Sequence, residues 1–367
     1  YYKIYPDQTR IDVVVYVDDG WLETDSGPDA DADMKQLADA FSSKDGSMSY
    51  SEPSFFLGQN VKCVQGESVK FSSEAYILKM ADSYLPQWKE RKIQALPATS
   101  ELRAHYEQAR EREVEPSPQL MKAFGGLTGA LIYTLPCVRV DAALAIGMLA
   151  RALTFPTEEL LEDARSVLTY LAQTAPLGVT YSRSAPDAMT LTAMSDSDWA
   201  VGHSTTGYIV TLAGGAVGYC SKRQPCIAMS STEAEIIAAS TCATEVVYFR
   251  GLLEEMGLPQ EQPTPLRVDN SGAIELSRDR KSCHRSRHID RRFFKVRELQ
   301  FADKLKVSHI GTDDNTADLL TKPLKADAFY RHSTSLLSVV LPVRGLPRGV
   351  MTREEWGPLR RWRPGLC

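Results

Sequence analysis

Between residues 191 and 324, strand and helix patterns follow each other in an order that few folds accommodate. Residues 191–196 alternate apolar and polar side chains, as a strand with one buried face does. Two β-rich runs follow at 207–212 and 216–220, and the glycines at 214 and 215 between them favour a hairpin turn. The pattern predicts three antiparallel strands in succession.

A helix and a further set of elements follow the three strands. Ser230 and Glu233 have the spacing of a capping box, and apolar residues then keep helical spacing as far as residues 257–259. The order that results is three strands, helix, strand, two helices, strand and helix, which predicts an α/β domain. The later elements are a strand at 265–269, helices at 271–276 and 289–302, a strand at 305–310 and a helical turn around 318.

Acidic residues lie at the edges of four of these elements. Asp196 closes the first strand, Glu233 lies in the first turn of the first helix, Asp269 closes the fourth strand, and Asp318 lies in the last helical turn. Each of them alone is most simply a cap or a solvated turn residue. Together they offer carboxylate oxygens, which Mg²⁺ prefers, on elements that hold them in place. Phosphodiester hydrolysis by in-line attack benefits from two such ions roughly 4 Å apart.

The same segment contains seven short motifs in a fixed order. They are SDSDWA at 195–200, STTGY at 204–208, SKRQP at 221–225, MSSTEAE at 229–235, VDN at 268–270, RHIDRR at 287–292 and ADLLTKPL at 317–324. This series resembles the C-terminal part of copia-type LTR-retrotransposon Pol polyproteins, which ends in a ribonuclease H domain. The resemblance implies an α/β fold with a ribonuclease H-like mixed five-stranded sheet and flanking helices.

The resemblance also implies the chemistry and the roles of the acids. The domain would cleave the RNA strand of an RNA–DNA hybrid with two Mg²⁺ ions, and Mn²⁺ would substitute for them. Asp196 would bridge the ions, Glu233 and Asp269 would hold one of them, and Asp318 would help to hold the other. Asp198 is interpreted as a supporting or surface residue, because the ligand in the family is the first acid of this motif.

The N-terminal segment carries a second resemblance. Residues 11–17 form an apolar run typical of a buried strand, and Asp18 and Asp19 follow at a hairpin tip. The motif resembles the Tyr-Val-Asp-Asp palm hairpin of reverse transcriptases, and residues 55–58 match the segment after that hairpin. We interpret the two acids as a remnant polymerase metal pair. The further acid that a polymerase needs would precede Tyr1, so we expect no DNA synthesis by this chain alone and regard the N-terminal part of the polymerase as a possible partner.

Charge limits where nucleic acid can bind. The chain of 367 residues has a net charge of -5 and a pI of about 5.8, so binding to a polyanion must be local. Basic residues follow the third strand and also form a run from 278 to 297. Such a run is often only a solvated face, but beside a metal site for a polyanion it favours phosphate contacts and shape-based recognition of a hybrid. The candidate nucleic-acid-binding residues are Lys222, Arg223, Arg285, Arg287, Arg291 and Arg292.

Composition bounds the cellular setting and the domains. Seven cysteines without a Cys-x-x-Cys pair favour a reduced, intracellular setting, and no apolar run has membrane length. We expect a cytoplasmic protein, with a virus-like particle or the nucleus as alternatives. The oligomeric state is open. We predict a polymerase palm and thumb remnant at 1–96, a linker and helical connection at 97–185, the ribonuclease H domain at 186–324 and a poorly ordered tail at 325–367.

Two functions are therefore carried forward. The first is ribonuclease H cleavage within a retrotransposon polyprotein. The second is a catalytically silent or domesticated fragment that acts as a nucleic-acid-binding or assembly module, which is favoured by the missing polymerase acid and by the loss of basic positions in the connection. An integrase or transposase is disfavoured, because the acids come with a glutamate at a helix start and with the polymerase hairpin upstream.

Overall fold

The computed structural model describes residues 1–17, 19–25, 27–41, 53–112, 115–136, 138–200, 202–278 and 295–337, with the side chains of residues 41, 276 and 278 outside this description. The strands are β1 Tyr2–Ile4, β2 Arg10–Tyr16, β3 Asp19–Thr24, β4 Phe55–Phe56, β5 Gln59–Val64, β6 Ser68–Ser72, β7 Gly178–Ser182, β8 Thr192–Asp198, β9 Thr205–Leu212, β10 Gly215–Arg223, β11 Thr264–Val268 and β12 Leu305–His309. The α-helices are α1 Pro28–Phe41, α2 Glu74–Tyr84, α3 Ser100–Glu111, α4 Pro118–Ile132, α5 Ala143–Arg151, α6 Glu158–Gln173, α7 Ser231–Glu255, α8 Ser271–Arg278, α9 at 295–301 and α10 Ala326–Leu336.

The largest sheet has the strand order β10-β9-β8-β11-β12. Strands β8, β9 and β10 are antiparallel to one another, whereas β11 runs parallel to both β8 and β12. Ala213 and Gly214 make the turn between β9 and β10 with positive φ angles of 52° and 80°. The predicted ribonuclease H-like fold with a mixed five-stranded sheet is confirmed.

Helices cover both faces of this sheet. Because side chains alternate along a strand, Val210 of β9 packs with α7, α8 and α9, and its neighbour Ile209 packs with the helices of the connection on the opposite face. In the part of the chain that the structure describes, α7 passes the length and composition test for a membrane-spanning helix, and half of its most apolar window is buried. Its apolar side chains pack on the sheet, so core packing accounts for its composition.

A close approach between β9 and a short 3₁₀ helix shapes one end of the sheet. Gly207 of β9 pairs with Asp196 of β8. A Cβ atom at position 207 would lie 2.6 Å from Cγ2 of Thr321 and 2.9 Å from the carbonyl oxygen of Ala317, closer than packing allows. Glycine therefore lets the 3₁₀ helix Thr316–Leu320 lie against the sheet beside Asp196.

The connection is built around a buried ion pair. Arg139 is fully buried and donates from Nε and Nη2 to the two carboxylate oxygens of Asp141 at 3.0 and 2.8 Å. Arg139 also donates to the hydroxyl of Thr174 at 2.8 Å, and the Tyr170 hydroxyl donates to Asp141 at 2.6 Å. This network joins the segment before α5 to the C-terminal end of α6, and both charges have partners.

The segment predicted as a charged linker contains a packed helix. Leu102, Tyr106 and Ala109 of α3 are buried in the core of the connection, at the spacing of one helix face. The Thr99 hydroxyl accepts from the Leu102 amide and caps the helix. Charged residues occupy the rest of α3, which explains why composition alone indicated a linker.

The predicted poorly ordered tail is wrong for its first part. Helix α10 buries Phe329 and Leu336 in the same core as α4 to α6. The Tyr330 hydroxyl donates to the carbonyl oxygen of Ala95 at 2.7 Å. The apolar residues of this helix lie seven positions apart, so they share a face that the low overall hydropathy of the tail conceals. Residues 338–367 lie outside the described residues.

Two smaller sheets complete the described chain. Strands β1, β2 and β3 form an antiparallel sheet in which Tyr16 pairs with Asp19, so the predicted hairpin at 11–22 is present. Strands β4 to β7 form a second sheet, which pairs β6 at 68–72 with β7 at 178–182. The predicted polymerase remnant and the predicted connection therefore share a sheet.

Candidate metal centre

Carboxylates from three elements meet at one end of the large sheet. Asp196 of β8, Glu235 of α7 and Asp269 after β11 each offer a carboxylate oxygen, and these oxygens lie within 4.8 Å of one another. Asp196 and Glu235 are buried, and Asp269 is partly buried. Three converging carboxylates of this kind are the ligand set that hard divalent cations prefer.

The topology explains why two of these acids are neighbours. Ser195 of β8 is in register with Val268 of the parallel strand β11. The residues that follow them, Asp196 and Asp269, therefore emerge at the same edge of the sheet. Both acids were predicted at strand ends, and the strand ends bring them together here.

The prediction that Glu233 joins these acids is wrong. Glu233 forms the capping box at the start of α7: its amide donates to the Ser230 hydroxyl at 3.1 Å, and its Oε2 accepts from the Met229 amide at 2.8 Å. Glu235 takes its place, and its Oε1 accepts from the Ser197 amide at 3.1 Å. Residues two apart on a helix point about 200° away from each other, so only one of the two glutamates can face the sheet edge.

The capping-box motif itself contained the signal for this assignment. A glutamate at the third helical position after a serine cap is already engaged with the backbone at the helix start. A second acid two positions later, at 235, is free to point elsewhere. The motif predicted the start of the helix correctly, and the same motif argues against Glu233 as a metal ligand.

Asp318 lies next to Asp196, although it is not among the three converging acids. Its Oδ2 is 2.9 Å from Nζ of Lys322, which is also 3.9 Å from Oδ2 of Asp196. The hydroxyl of Thr321 donates to Asp196. Asn315 anchors this segment, since its side-chain amide donates to the carbonyl oxygen of Ser195 at 3.1 Å. The predicted fourth acid is thus held beside the first.

Burial and mutual repulsion disfavour ionisation of these acids. Burial, followed by the charges of Asp196 and Asp269, raises the pKa of Glu235 to about 9. Burial is also the main cause that raises the pKa of Asp196, Asp269 and Asp318, and the neighbouring Asp318 raises that of Asp196 further. The charge of Lys322 opposes these effects and acts to lower the pKa of all four acids.

Two buried carboxylate oxygens at this end of the sheet lack a hydrogen-bond donor among the described residues, namely Oε2 of Glu235 and Oδ1 of Asp318. An unpaired buried acceptor is costly, and neighbouring like charges add to that cost. Divalent cations bound to these acids would relieve both effects, so the donor set fits such ions.

Asp198 points away from the carboxylate cluster. Its Oδ2 lies 3.0 Å from Nη1 of Arg103 in α3, and 18% of its side chain is exposed. Side-chain alternation alone would place Asp198 on the same face of β8 as Asp196, but β8 ends at Asp198, and its carboxylate is drawn to Arg103 of the connection. Asp198 links the ribonuclease H-like sheet to helix α3.

The remaining predicted residues are distributed as follows. Lys222 is exposed and Arg223 is partly buried at the end of β10, and Asp19 is exposed at the hairpin of β2 and β3. Their proposed roles in nucleic-acid and polymerase metal binding stay predictions. The other candidates lie outside the described residues, namely Asp18, Arg285, Arg287, Arg291 and Arg292.

No family model matches the chain. The Retrovirus-related Pol polyprotein from transposon RE1 of Arabidopsis thaliana is 30% identical over 338 residues, which cover 88% of this chain and 21% of that protein. The one from transposon TNT 1-94 of Nicotiana tabacum is 32% identical over 262 residues, which cover 70% of this chain and 19% of that protein. The chain belongs to the retrovirus-related Pol polyproteins of copia-type transposons.

The chain spans about a fifth of the length of these Pol polyproteins. A ribonuclease H1 isolated from compost is similar with a TM-score of 0.30 and 16% identity, covering 36% of this chain and 92% of that one. Within the Pol family chain, the carboxylate cluster belongs to the five-stranded sheet, and the helical connection and the smaller sheets precede it in sequence.

Proposed function

We propose that this chain hydrolyses the RNA strand of RNA–DNA hybrids with divalent cations, as the ribonuclease H part of a retrotransposon Pol polyprotein. One observation carries the proposal: Asp196, Glu235 and Asp269 come from three separate elements and meet within 4.8 Å at one end of the sheet. Convergence of this kind is uncommon for acids that serve only as caps, because like charges repel when buried together.

The residues that would hold the ions follow from the contacts. Asp196, Glu235 and Asp269 bring carboxylate oxygens within 4.8 Å of one another and would hold one ion. Asp196 and Asp318 both lie near Nζ of Lys322, at 3.9 and 2.9 Å, and would hold the other. Mg²⁺ is the proposed ion, since it prefers oxygen ligands, and Mn²⁺ would substitute. When bound, such ions activate a water molecule and stabilise the leaving oxygen of the phosphodiester.

The protein contributes orientation. Strand β8, helix α7 and strand β11 are parts of the core, so the three acids are held by rigid elements. Thr321 and Lys322 hold the carboxylates of Asp196 and Asp318, and the Asn315 side chain fixes the segment that carries them. Groups fixed in this way by the fold lower the reorganisation that the reaction requires.

The proposed substrate is a hybrid because of the family and the charge distribution. Pol proteins of this family resemble enzymes that act on RNA–DNA hybrids, and recognition would rest on A-form shape and on 2′-hydroxyl groups, with little dependence on base sequence. Lys222 and Arg223 are candidates for phosphate contact. We expect binding that weakens steeply with salt.

A cleavage assay tests the proposal. The full chain is incubated with a hybrid whose RNA strand is labelled, in Mg²⁺, in Mn²⁺ or in EDTA, and with single-stranded RNA and duplex DNA of the same sequence as controls. We expect nicking of the RNA strand of the hybrid in either metal and none in EDTA. No cleavage of a hybrid that the protein demonstrably binds would reject catalysis.

That negative result would support the second function, binding without cleavage. A specific contact favours it: Nζ of Lys322 lies 2.9 Å from Asp318, so a protein cation already neutralises part of the site that a second ion would occupy. Binding with unchanged affinity in EDTA, together with an intact hybrid after long incubation, would identify the chain as a nucleic-acid-binding or assembly module.

A further inference from the structure

A cavity of about 500 Å³ lies between the helical connection and the ribonuclease H-like sheet. Helix α3 and helix α5 form one wall, and the ends of β8 and β10 with the segment around Thr321 form the other. In this second wall, Thr321 also donates to Asp196 of the carboxylate cluster, and Asp198 lies two residues after Asp196 on β8. The cavity and the carboxylate cluster therefore share β8 and the Thr321 segment.

In the described part of the chain, four arginine and three acidic side chains line this cavity. Arg103 is neutralised by Glu107 at 3.1 Å and by Asp198 at 3.0 Å. The other three arginines of the lining have no carboxylate within 4.0 Å among the described residues. Of the acids in the lining, Glu107 and Asp198 pair with Arg103 and Glu111 does not. The arginines without such a partner are Arg110, Arg151 and Arg223.

Part of the Arg151 guanidinium lacks a hydrogen-bond acceptor among the described residues. Its Nη1 makes one long contact of 3.4 Å to the Thr205 hydroxyl, and its Nη2 is buried without a hydrogen-bond partner among the described residues. Burial, to which the charge of Arg223 adds, lowers the pKa of Arg151. A buried Nη2 group without an acceptor, on a partly buried guanidinium, is unfavourable unless an anion completes it.

Helix α5 lies beside β10, which places Arg151 and Arg223 at one cavity. A Cβ atom at position 147, one turn before Arg151 on α5, would be 3.4 Å from the carbonyl oxygen of Ser221 in β10, an ordinary van der Waals contact. Arg151 and Arg223 reach the same cavity from different parts of the fold. The arrangement brings two forked donors together from the connection and from the sheet.

We propose that this cavity binds a phosphodiester of the nucleic-acid substrate through Arg151 and Arg223, with Arg110 at its rim, so that the connection helps to hold the strand beside the carboxylate cluster. The inference rests on the proposed function and names the part of the chain that grips the substrate. A guanidinium fork matches phosphate geometry with two parallel hydrogen bonds, which a lysine does not provide. Thr205 offers a further donor from the sheet.

Binding without catalysis tests this site separately from the nuclease. The affinity of the full chain for a fluorescent RNA–DNA hybrid is measured by anisotropy in EDTA at several salt concentrations, for the wild type, Arg151→Gln, Arg223→Gln and the double variant. We expect each single variant to bind roughly tenfold more weakly, and the slope of log affinity against log salt to fall by about one for each arginine removed.

Arg112→Gln is the matched control. Arg112 follows α3 two positions after Arg110, does not line the cavity, and lies 3.5 Å from Glu159 on the surface. The variant loses the same charge, so its affinity and salt slope should stay close to those of the wild type. Equal losses in Arg112→Gln and Arg223→Gln would show a general charge effect and would overturn the site.

A phosphate-specific probe locates the contact. Hybrids that carry single methylphosphonates, each of which removes one phosphate charge, are scanned along both strands. We expect one or two positions to weaken wild-type binding roughly tenfold and to have no further effect on Arg151→Gln or Arg223→Gln. Additive effects at every position would overturn the proposal, whereas a wild type that does not bind the hybrid at all would reject the proposed function instead.

Stability separates a binding role from a structural one. If Arg151 only held the connection to the sheet, Arg151→Met would lower the unfolding temperature. We expect this variant to unfold at an equal or higher temperature in the absence of nucleic acid, because it removes a partly buried charge whose Nη2 has no acceptor among the described residues, and still to bind the hybrid more weakly. A lower unfolding temperature with unchanged binding would contradict the proposal.

Discussion

Two buried ionic clusters in the part of the chain that the structure describes differ in one respect. Arg139 and Asp141 in the connection form a neutral pair in which the carboxylate also accepts from Tyr170. Asp196 and Glu235, at the end of the large sheet, lie among further acids, with Lys322 as the nearby cation. The first cluster is complete within the protein, whereas the second leaves buried oxygens without donors among the described residues.

The difference indicates what each cluster is for. A buried pair with matched charges fixes the structure around it, and removing one member leaves an uncompensated charge. A buried cluster of like charges destabilises the fold unless a ligand neutralises it, so its presence points to binding or catalysis. Substitutions in the two clusters should therefore have opposite consequences for activity and stability.

The largest expected effect is on cleavage. Asp269→Asn or Glu235→Gln should lower the rate of hybrid cleavage by at least about a hundredfold, because each removes a charged ligand while keeping the shape of the side chain. The rate is measured with labelled hybrid in Mg²⁺, with melting temperature as a check on folding. Asp303→Asn is the control, since Asp303 is exposed and asparagine tolerates its positive φ of 51°. Cleavage by Glu235→Gln at the wild-type rate would refute the assignment of Glu235.

The second expected effect is on stability alone. Asp141→Ala should lower the free energy of unfolding by about 3 to 5 kcal/mol, because Arg139 would remain buried without its partner. Chemical denaturation measures the loss. Glu162→Ala, which removes half-exposed ion pairs with Arg91 and Arg165, should change it by less than about 1 kcal/mol.

A companion double variant sharpens this second test. Replacing Arg139 by Met and Asp141 by Leu removes both charges and fills their space, so most of the lost stability should return. If the double variant were as unstable as Asp141→Ala, the pair would act through a specific hydrogen-bond geometry and not through charge balance.

Much of the fold and part of the acidic cluster can be predicted from the sequence, whereas the neutral pair in the connection cannot. Strand patterns predict β8 and β11 with an acid at the end of each, and the resemblance to copia-type Pol polyproteins implies that Asp196 and Asp269 share one site. Glu235 was missed because periodicity locates a helix more reliably than it fixes which of two nearby acids faces the sheet. Arg139 and Asp141 carried no local signal at all, since their pairing with Thr174 and Tyr170 depends on residues that lie 35 and 29 positions away.

A further effect concerns the pH dependence of stability. The raised pKa of Glu235, about 9 in the folded chain against about 4.5 unfolded, means that the unfolded state binds fewer protons between these values. Without divalent ions, the free energy of unfolding should fall as pH rises from 5 to 8, by about 4 kcal/mol. Glu235→Gln should flatten this profile.

Divalent ions should weaken that trend. Mg²⁺ at about tenfold its dissociation constant should add roughly 1.4 kcal/mol at pH 8 and less at pH 5, because protons compete for the same carboxylates. Thermal unfolding in Mg²⁺ and in EDTA across this pH range measures the difference. Equal stabilisation at both pH values would indicate that the ion binds elsewhere.

The smallest expected effect separates the two glutamates of α7. Glu233→Gln should leave cleavage within about twofold of the wild type, since glutamine can keep the contact to the Met229 amide, and Glu233→Ala should cost about 1 kcal/mol of stability through the lost cap. Cleavage rate and melting temperature are measured together with those of Glu235→Gln. A Glu233 variant that folds normally but loses cleavage as completely as Asp269→Asn would return the ligand role to Glu233, and the capping-box contact would then be only one state of that side chain.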